Sequence, residues 1–203
     1  GAGIRLGKNV TEYETITLGY RFQNVEVSGV APNHQTDFLK NETRTTSRIT
    51  PTYIYDSRDN FLNPSKGWRH VITSDLAGVG GLKFTRNMYE IVYYRPLIEK
   101  LVLGVHGRIN YAAGYGGDTL PAFERYFMGG PTTLRGFTIQ DIGPKDNNGN
   151  PVGGSRALLL NLELQYPFTK SLRGFLFYDR GNVYGTGPDI SLTSEDFDLG
   201  EMR

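Results

Sequence analysis

Alternation at a period of two runs through most of this chain and constrains its fold more than any other feature. From Leu101 to Ala113 the odd positions are Leu101, Leu103, Val105, Gly107, Ile109, Tyr111 and Ala113, while the even ones include His106, Arg108 and Asn110. Between Arg156 and Phe168, Leu158, Leu160, Leu162, Leu164 and Tyr166 alternate with Asn161, Glu163 and Gln165. Ile16, Leu18, Tyr20 and Phe22 face away from Thr15, Thr17, Arg21 and Gln23, and Ile49, Tyr53 and Tyr55 face away from Arg48, Thr50, Thr52 and Asp56. Tyr89, Ile91 and Tyr93 stand against Arg86, Met88 and Glu90. A strand sends successive side chains to opposite faces, so each segment has one apolar and one polar face. The pattern predicts eight strands at about 2–10, 12–27, 45–58, 67–78, 83–97, 100–114, 155–168 and 172–184.

Two architectures satisfy this pattern. A soluble antiparallel sheet buries its apolar face in a core and wets the other. A membrane barrel reverses the dress, apolar face to lipid and polar face to the interior. Several strands here exceed the usual five or six residues and suit a tilted bilayer span of about 9–11. Tyrosines sit near strand ends, and the polar faces carry Arg, Glu, Asp and His, which favours the all-β transmembrane barrel. No run of about 18 apolar residues occurs, so a transmembrane helix is excluded and a lipid-facing strand is not. The 203 residues are compatible with one domain. The absence of Cys removes disulfide scaffolds and thiolate chemistry, and a net charge of +1 gives no reason to expect a nucleic-acid partner. The start, Gly1-Ala2-Gly3-Ile4-Arg5, has neither Met nor a signal-peptide apolar region and reads as a mature or cut chain.

Predicted connections are short near Lys8–Glu12, Gly78–Leu82, Pro96–Lys100 and Phe168–Leu172, and longer over 28–44, 59–66 and, largest, 114–154. The last is rich in Gly yet holds Phe123, Tyr126, Phe127, Met128 and Phe137. Disordered loops carry few aromatics, so part of it should pack, either on itself as an Ω-type loop or back into a barrel lumen. The tail from Gly185 to Arg203 is polar and acidic.

Here the residues carry a family resemblance. Leu120-Pro121-Ala122-Phe123-Glu124-Arg125-Tyr126-Phe127-Met128-Gly129-Gly130, followed by Leu134-Arg135-Gly136-Phe137, is similar to the sixth extracellular loop of the BamA-type outer-membrane assembly proteins. Asp56-Ser57-Arg58-Asp59 with Pro64 and Gly67 resembles the family's strand end and following hairpin. Gly153-Gly154, Asn161-Leu162-Glu163 and Pro167 resemble the strand after the loop, and Phe177 to Val183 the strand after that. Five motifs in the family's order cover residues 45–184; a lone Arg-Gly-Phe tripeptide would mean nothing. The resemblance implies that residues 1–203 are the C-terminal part of an outer-membrane barrel, about eight of roughly sixteen strands, with loop 114–154 directed into the lumen. An alternative closure of eight strands on themselves leaves an interior only wide enough for side chains, and no room for the loop.

Alternation puts Glu163 and Asp179 on the polar faces of adjacent strands. On the residues alone they read as ordinary solvated lumen carboxylates. The resemblance implies a lock in which Arg135, at a tip bent by Gly136, docks onto Glu163 and Asp179 with Phe137 packed beside it. An arginine's planar fork suits two carboxylates. Asp56, Arg58 and Asp59 read as capping a polar turn before Asn60. Gly129, Gly130, Gly153 and Gly154 read as structural motif positions.

No chemistry is expected. His34, His70 and His106 lie on different segments without metal-ligand spacing, no Gly-x-Ser-x-Gly occurs, the Gly-rich stretches lack a phosphate-loop context, and Glu195 and Asp196 lie in the tail. No catalytic residue, metal or cofactor is expected. The resemblance implies folding and insertion of β-barrel proteins in the bacterial outer membrane without nucleotide hydrolysis. The partners it implies are the lipid bilayer, unfolded client proteins and accessory lipoproteins reached through periplasmic domains. A two-partner-secretion pore of the same fold is the alternative, and a simple diffusion porin a third.

Overall fold

The computed structural model describes residues 1–29, 41–169 and 172–185. Most of the acidic tail, together with His34, lies outside them. The eight strands are β1 (Ala2–Asn9), β2 (Glu14–Val27), β3 (Glu42–Asp56), β4 (Gly67–Ala77), β5 (Phe84–Ile98), β6 (Leu101–Gly114), β7 (Arg156–Pro167) and β8 (Arg173–Tyr184). They form one sheet in sequence order from β1 to β8, with every neighbouring pair antiparallel. The sheet is open, with β1 and β8 at its two edges. The small closed barrel weighed above is therefore not what forms.

Register fixes which side chains share a face. Leu6 pairs with Leu18, Leu18 with Pro51, Tyr53 with Ile72, Ile72 with Tyr89, Tyr89 with Ile109, Ile109 with Leu158. These residues line one continuous apolar face, and that face is exposed: Leu6 is 66% accessible, Leu18 53% and Ile72 50%. Burial lies on the other side, where Thr46, Arg48, Glu90, Asn110 and Asn161 are buried. A soluble sheet would bury the opposite set. At the end of the sheet where the β1–β2, β3–β4 and β5–β6 turns lie, Tyr13, Tyr55, His70, Trp68 and Tyr93 form a chain of ring contacts, the Trp68 and Tyr93 centroids 3.9 Å apart. An aromatic girdle of this kind marks a lipid–water interface.

The core is built between the polar face and the segment joining β6 to β7. Met128, Leu134 and Ile142 from the segment pack on Ala157, Leu159 and Val183 of β7 and β8. Leu120, Phe123 and Tyr126 pack on Ala77, Leu82, Phe84 and Ala112. The small side chains of Ala77, Ala112 and Ala157 leave room for the incoming segment. Burying an aliphatic or Met side chain contributes about 1.5–3 kcal/mol, so Met128, Leu134 and Ile142 alone outweigh any single exposed ion pair.

Candidate functional site: the loop docked on the polar face

The segment 115–155 has one short helical turn, a 3-10 turn at Ala122–Glu124, and three isolated bridges that fold it on itself: Tyr126 to Gly154, Met128 to Ile142 and Lys145 to Pro151. Its returning backbone is fastened by Tyr126 and Gly154, which exchange N–H···O bonds of 2.9 and 3.0 Å. Two charged side chains then dock it to the sheet, one of each sign.

The basic one is Arg135. Its Nε and Nη2 donate to the two oxygens of Asp179 at 2.7 and 2.6 Å, its Nη1 to Glu163 at 2.6 Å, and its backbone N–H to Asp179 at 3.0 Å. The Asp179 hydrogen bonds, and then the one to Glu163, hold the guanidinium further above its ordinary range against the opposing effect of burial. Phe177 lies under the guanidinium, its ring centroid 3.8 Å from Cζ. The ring at the guanidinium is thus Phe177, which the sequence reading did not single out, while Phe137, expected beside the lock, is 41% exposed. Strand geometry places it there: Phe177 lies two residues from Asp179 on the same face of β8. Asn161 completes the site, its Nδ2 donating to Thr133 O and to Asp179, both at 2.8 Å. From there the network continues along the wall. His106 Nδ1 lies 2.9 Å from Asn161 Oδ1, and Glu90 accepts from Arg69, His106 and Arg108.

The acidic one is Glu124, which sequence reasoning missed. It is 3% exposed and accepts from Arg48 Nη1 and Nη2 at 3.1 and 2.7 Å and from Arg86 Nη1 at 2.9 Å. Arg48 also meets Asp75 at 3.4 Å. Arg86 lies over the Tyr126 ring, 4.9 Å from its centroid. Next to Glu124, Arg125 is buried, and burial pushes its guanidinium down to about 10, so it stays charged at neutral pH. The alternation that placed Arg48 and Arg86 on polar faces was the available signal; nothing periodic marks a single loop carboxylate.

Gly136 has φ +87° with open space where a Cβ would stand, so its requirement is conformational. Gly129 combines φ +116° with a close approach, since a Cβ there would fall 2.2 Å from Thr138 O. Gly130 follows it, and Gly153 and Gly154 carry the return opposite Phe127 and Tyr184. Asp56, Arg58 and Asp59 stand apart from this site at the β3–β4 turn. Asp56 accepts from Arg58 Nε and Nη2 at 2.8 and 2.7 Å. Asp59 accepts from Ser65 Oγ and the Ser65 and Lys66 N–H groups. Burial opposes ionisation of Asp59, and those hydrogen bonds outweigh it, holding the carboxyl below its ordinary range.

Residues 1–203 match the model of the Omp85 superfamily domain. The chain belongs to the Omp85 superfamily. It is an outer-membrane chain of the β-barrel type. It is 28% identical to the outer membrane protein assembly factor BamA of Neisseria meningitidis over 91% of its own length and 26% of that protein. It is 29% identical to the factor of the same name in Nitratidesulfovibrio vulgaris, over 96% of its length and 26% of that protein. The chain thus spans about a quarter of the length of these relatives. The crystal structure of BamA from Haemophilus ducreyi lacking POTRA domains 1-3 superposes with a TM-score of 0.76 at 22% identity, covering 91% of this chain and 41% of that one. That likeness shows the barrel fold. Relative to it the open sheet is part of a barrel, and the Omp85 chain's polar face is the face a barrel encloses.

Proposed function

We propose that this Omp85 chain is the C-terminal part of an outer-membrane barrel of roughly sixteen strands that folds and inserts client β-barrel proteins, with segment 114–154 directed into the lumen and locked there through Arg135, Glu163 and Asp179. The observation that carries the reading is the match to two named outer membrane protein assembly factors over 91% and 96% of the chain. The docked loop supports it. A segment held across the polar face by two oppositely charged contacts blocks a simple open pore. The work of insertion comes from burying client apolar faces in lipid and closing strand hydrogen bonds that are costly to leave open there, with no nucleotide hydrolysis. Accessory lipoproteins act through periplasmic domains of the longer polypeptide.

The test is reconstitution of the full polypeptide carrying this barrel into liposomes of fixed lipid composition. Client folding is followed as the heat-modifiable shift of the closed barrel, and conductance is recorded in parallel. Assembly predicts faster client folding than in empty liposomes. Conductance without acceleration contradicts it and points to a secretion pore.

A further inference from the structure

The wall that receives the loop tip holds a histidine with an acceptor at each end of its ring. His106 lies on β6, between Asn161 of β7 and Glu90 of β5. Asn161 cannot offer its amide nitrogen to the ring. Its Nδ2 donates to Thr133 O on the loop and to the Asp179 carboxylate, both at 2.8 Å, and neither oxygen has a proton to give. Asn161 Oδ1 is therefore the atom that faces His106 Nδ1 at 2.9 Å, and Nδ1 carries a hydrogen. At the other end, Nε2 lies 3.3 Å from Glu90 Oε2. Glu90 accepts N–H bonds from Arg69 on one oxygen and from Arg108 on the other, which holds it as a carboxylate without a proton. A hydrogen bond there needs a hydrogen on Nε2 as well. A ring with one proton would turn a lone pair toward a carboxylate oxygen.

We propose that His106 is a positioning residue of the loop lock, that it acts as the doubly protonated imidazolium, and that docking of the loop tip weakens as pH rises and the Nε2 proton is lost. The path to the loop is short. His106 holds Asn161 Oδ1, and Asn161 Nδ2 holds Thr133 O of the loop and steadies Asp179, which takes three of the hydrogen bonds of Arg135. Glu90 and Tyr94 from β5, Arg108 from β6, Glu163 from β7 and Arg135 from the loop line a cavity of about 350 Å³ with the ring. Arg69 of β4 and Asp179 of β8 stand one contact further away. Three arginines against three carboxylates give no net attraction for another positive charge. The two acceptors at the ring ends therefore select the imidazolium, not the summed field. Histidine changes charge between about pH 5 and 8, whereas carboxylates ordinarily titrate near roughly 4 and tyrosines near roughly 10. The sign follows: both contacts stand with the ring protonated, and the one to Glu90 turns repulsive once Nε2 is bare. The inference rests on the lock of the proposed reading and adds a pH dependence to it.

The experiment reads the ring and the loop tip in parallel samples of the full polypeptide carrying this barrel, held in lipid nanodiscs. One sample carries nitrogen-15 histidine, and the His106 ring signals are assigned by their loss in His106→Gln. The other carries a nitroxide on Thr132→Cys, whose spectrum reports the mobility of the loop tip; residues 1–203 hold no other cysteine. Both are followed from about pH 5.5 to about 9, an interval that spans the histidine range. At the acid end both ring nitrogens should be protonated and the label immobilised. Raising the pH should remove the Nε2 proton, and over the same interval the mobile fraction of the label should rise at least about threefold, the effect of losing one hydrogen bond. His106→Gln should flatten the mobility curve. A label equally immobilised at both ends of the interval, a pH response that survives His106→Gln, or a ring with one proton at the acid end overturns the proposal and leaves the lock standing. A label that is mobile at every pH removes the lock itself, and this proposal with it.

Discussion

At the scale of single residues, the two charged contacts of the loop are unequal. Glu124 is buried between two arginines, Arg48 and Arg86, whereas at the other contact only Asp179 is buried, with 4% of its side chain in solvent against 25% for Arg135 and 26% for Glu163. Removing one member of a buried ionic cluster strands the others without counter-charge, at a cost of about 3–5 kcal/mol. Glu124→Gln should therefore lower the thermal stability of the barrel and expose the whole segment 115–155 to protease. Arg135→Ala should act locally, because Met128, Leu134 and Ile142 still anchor the loop. Cleavage should rise near Thr132–Phe137 with a smaller drop in melting temperature than Glu124→Gln gives, since Asp179 keeps the Asn161 hydrogen bond, and unchanged cleavage there would remove the lock. Arg135→Lys should restore protection only in part, since an ammonium cannot bridge Asp179 and Glu163 as a fork does. Asp59 makes a pH prediction. Its folded pKa is lowered, so its contribution to the β3–β4 turn is complete above the ordinary carboxylate value near 3.9 and is lost as pH falls through the folded value. Amide exchange at Ser65 and Lys66, corrected for intrinsic rates, should stay flat from neutral pH to about 5 and rise below about 4. Asp59→Asn should abolish that dependence.

At the scale of elements, alternation made the strands legible almost to the residue. The expected 100–114 is Leu101–Gly114, and the expected 172–184 is Arg173–Tyr184. The reason is that long two-faced strands repeat one signal many times. The same parity aligned Glu163 and Asp179 with Phe177 on one face, yet the aromatic partner of Arg135 was sought in the neighbouring loop residue. What stayed hidden is non-periodic. Glu124 reaches across 76 positions to Arg48, and no spacing announces that. Pro51 was likewise unmarked: it cannot donate to a ladder, and β3–β4 pairing skips from Ile49–Leu76 to Thr52–Thr73, with Thr50 Oγ1 donating to Asp75 alongside. The inverted faces carry their own test. Leu162→Arg on the exposed apolar face should cost about 2–4 kcal/mol in a bilayer, whereas Thr52→Arg on the polar face should cost far less. Chemical unfolding from lipid vesicles measures both, and equal costs would contradict the assignment of faces.

At the scale of the whole molecule, the loop packs against the polar face of the sheet, and on the proposed reading it fills the barrel interior there. The apolar coat meets lipid, the polar wall pairs many of its charges internally, and segment 115–155 supplies much of the core. Docking and client folding should therefore be coupled through the Arg135 site. The most direct test is a double-mutant cycle on the client-folding rate in liposomes, using Arg135→Ala, Asp179→Ala and the two combined in the full polypeptide. If the contact is what matters, each single substitution slows folding and the combination slows it no further than the worse single. Effects that simply add, or rates that match the unsubstituted protein, would contradict a locked loop at the centre of the mechanism.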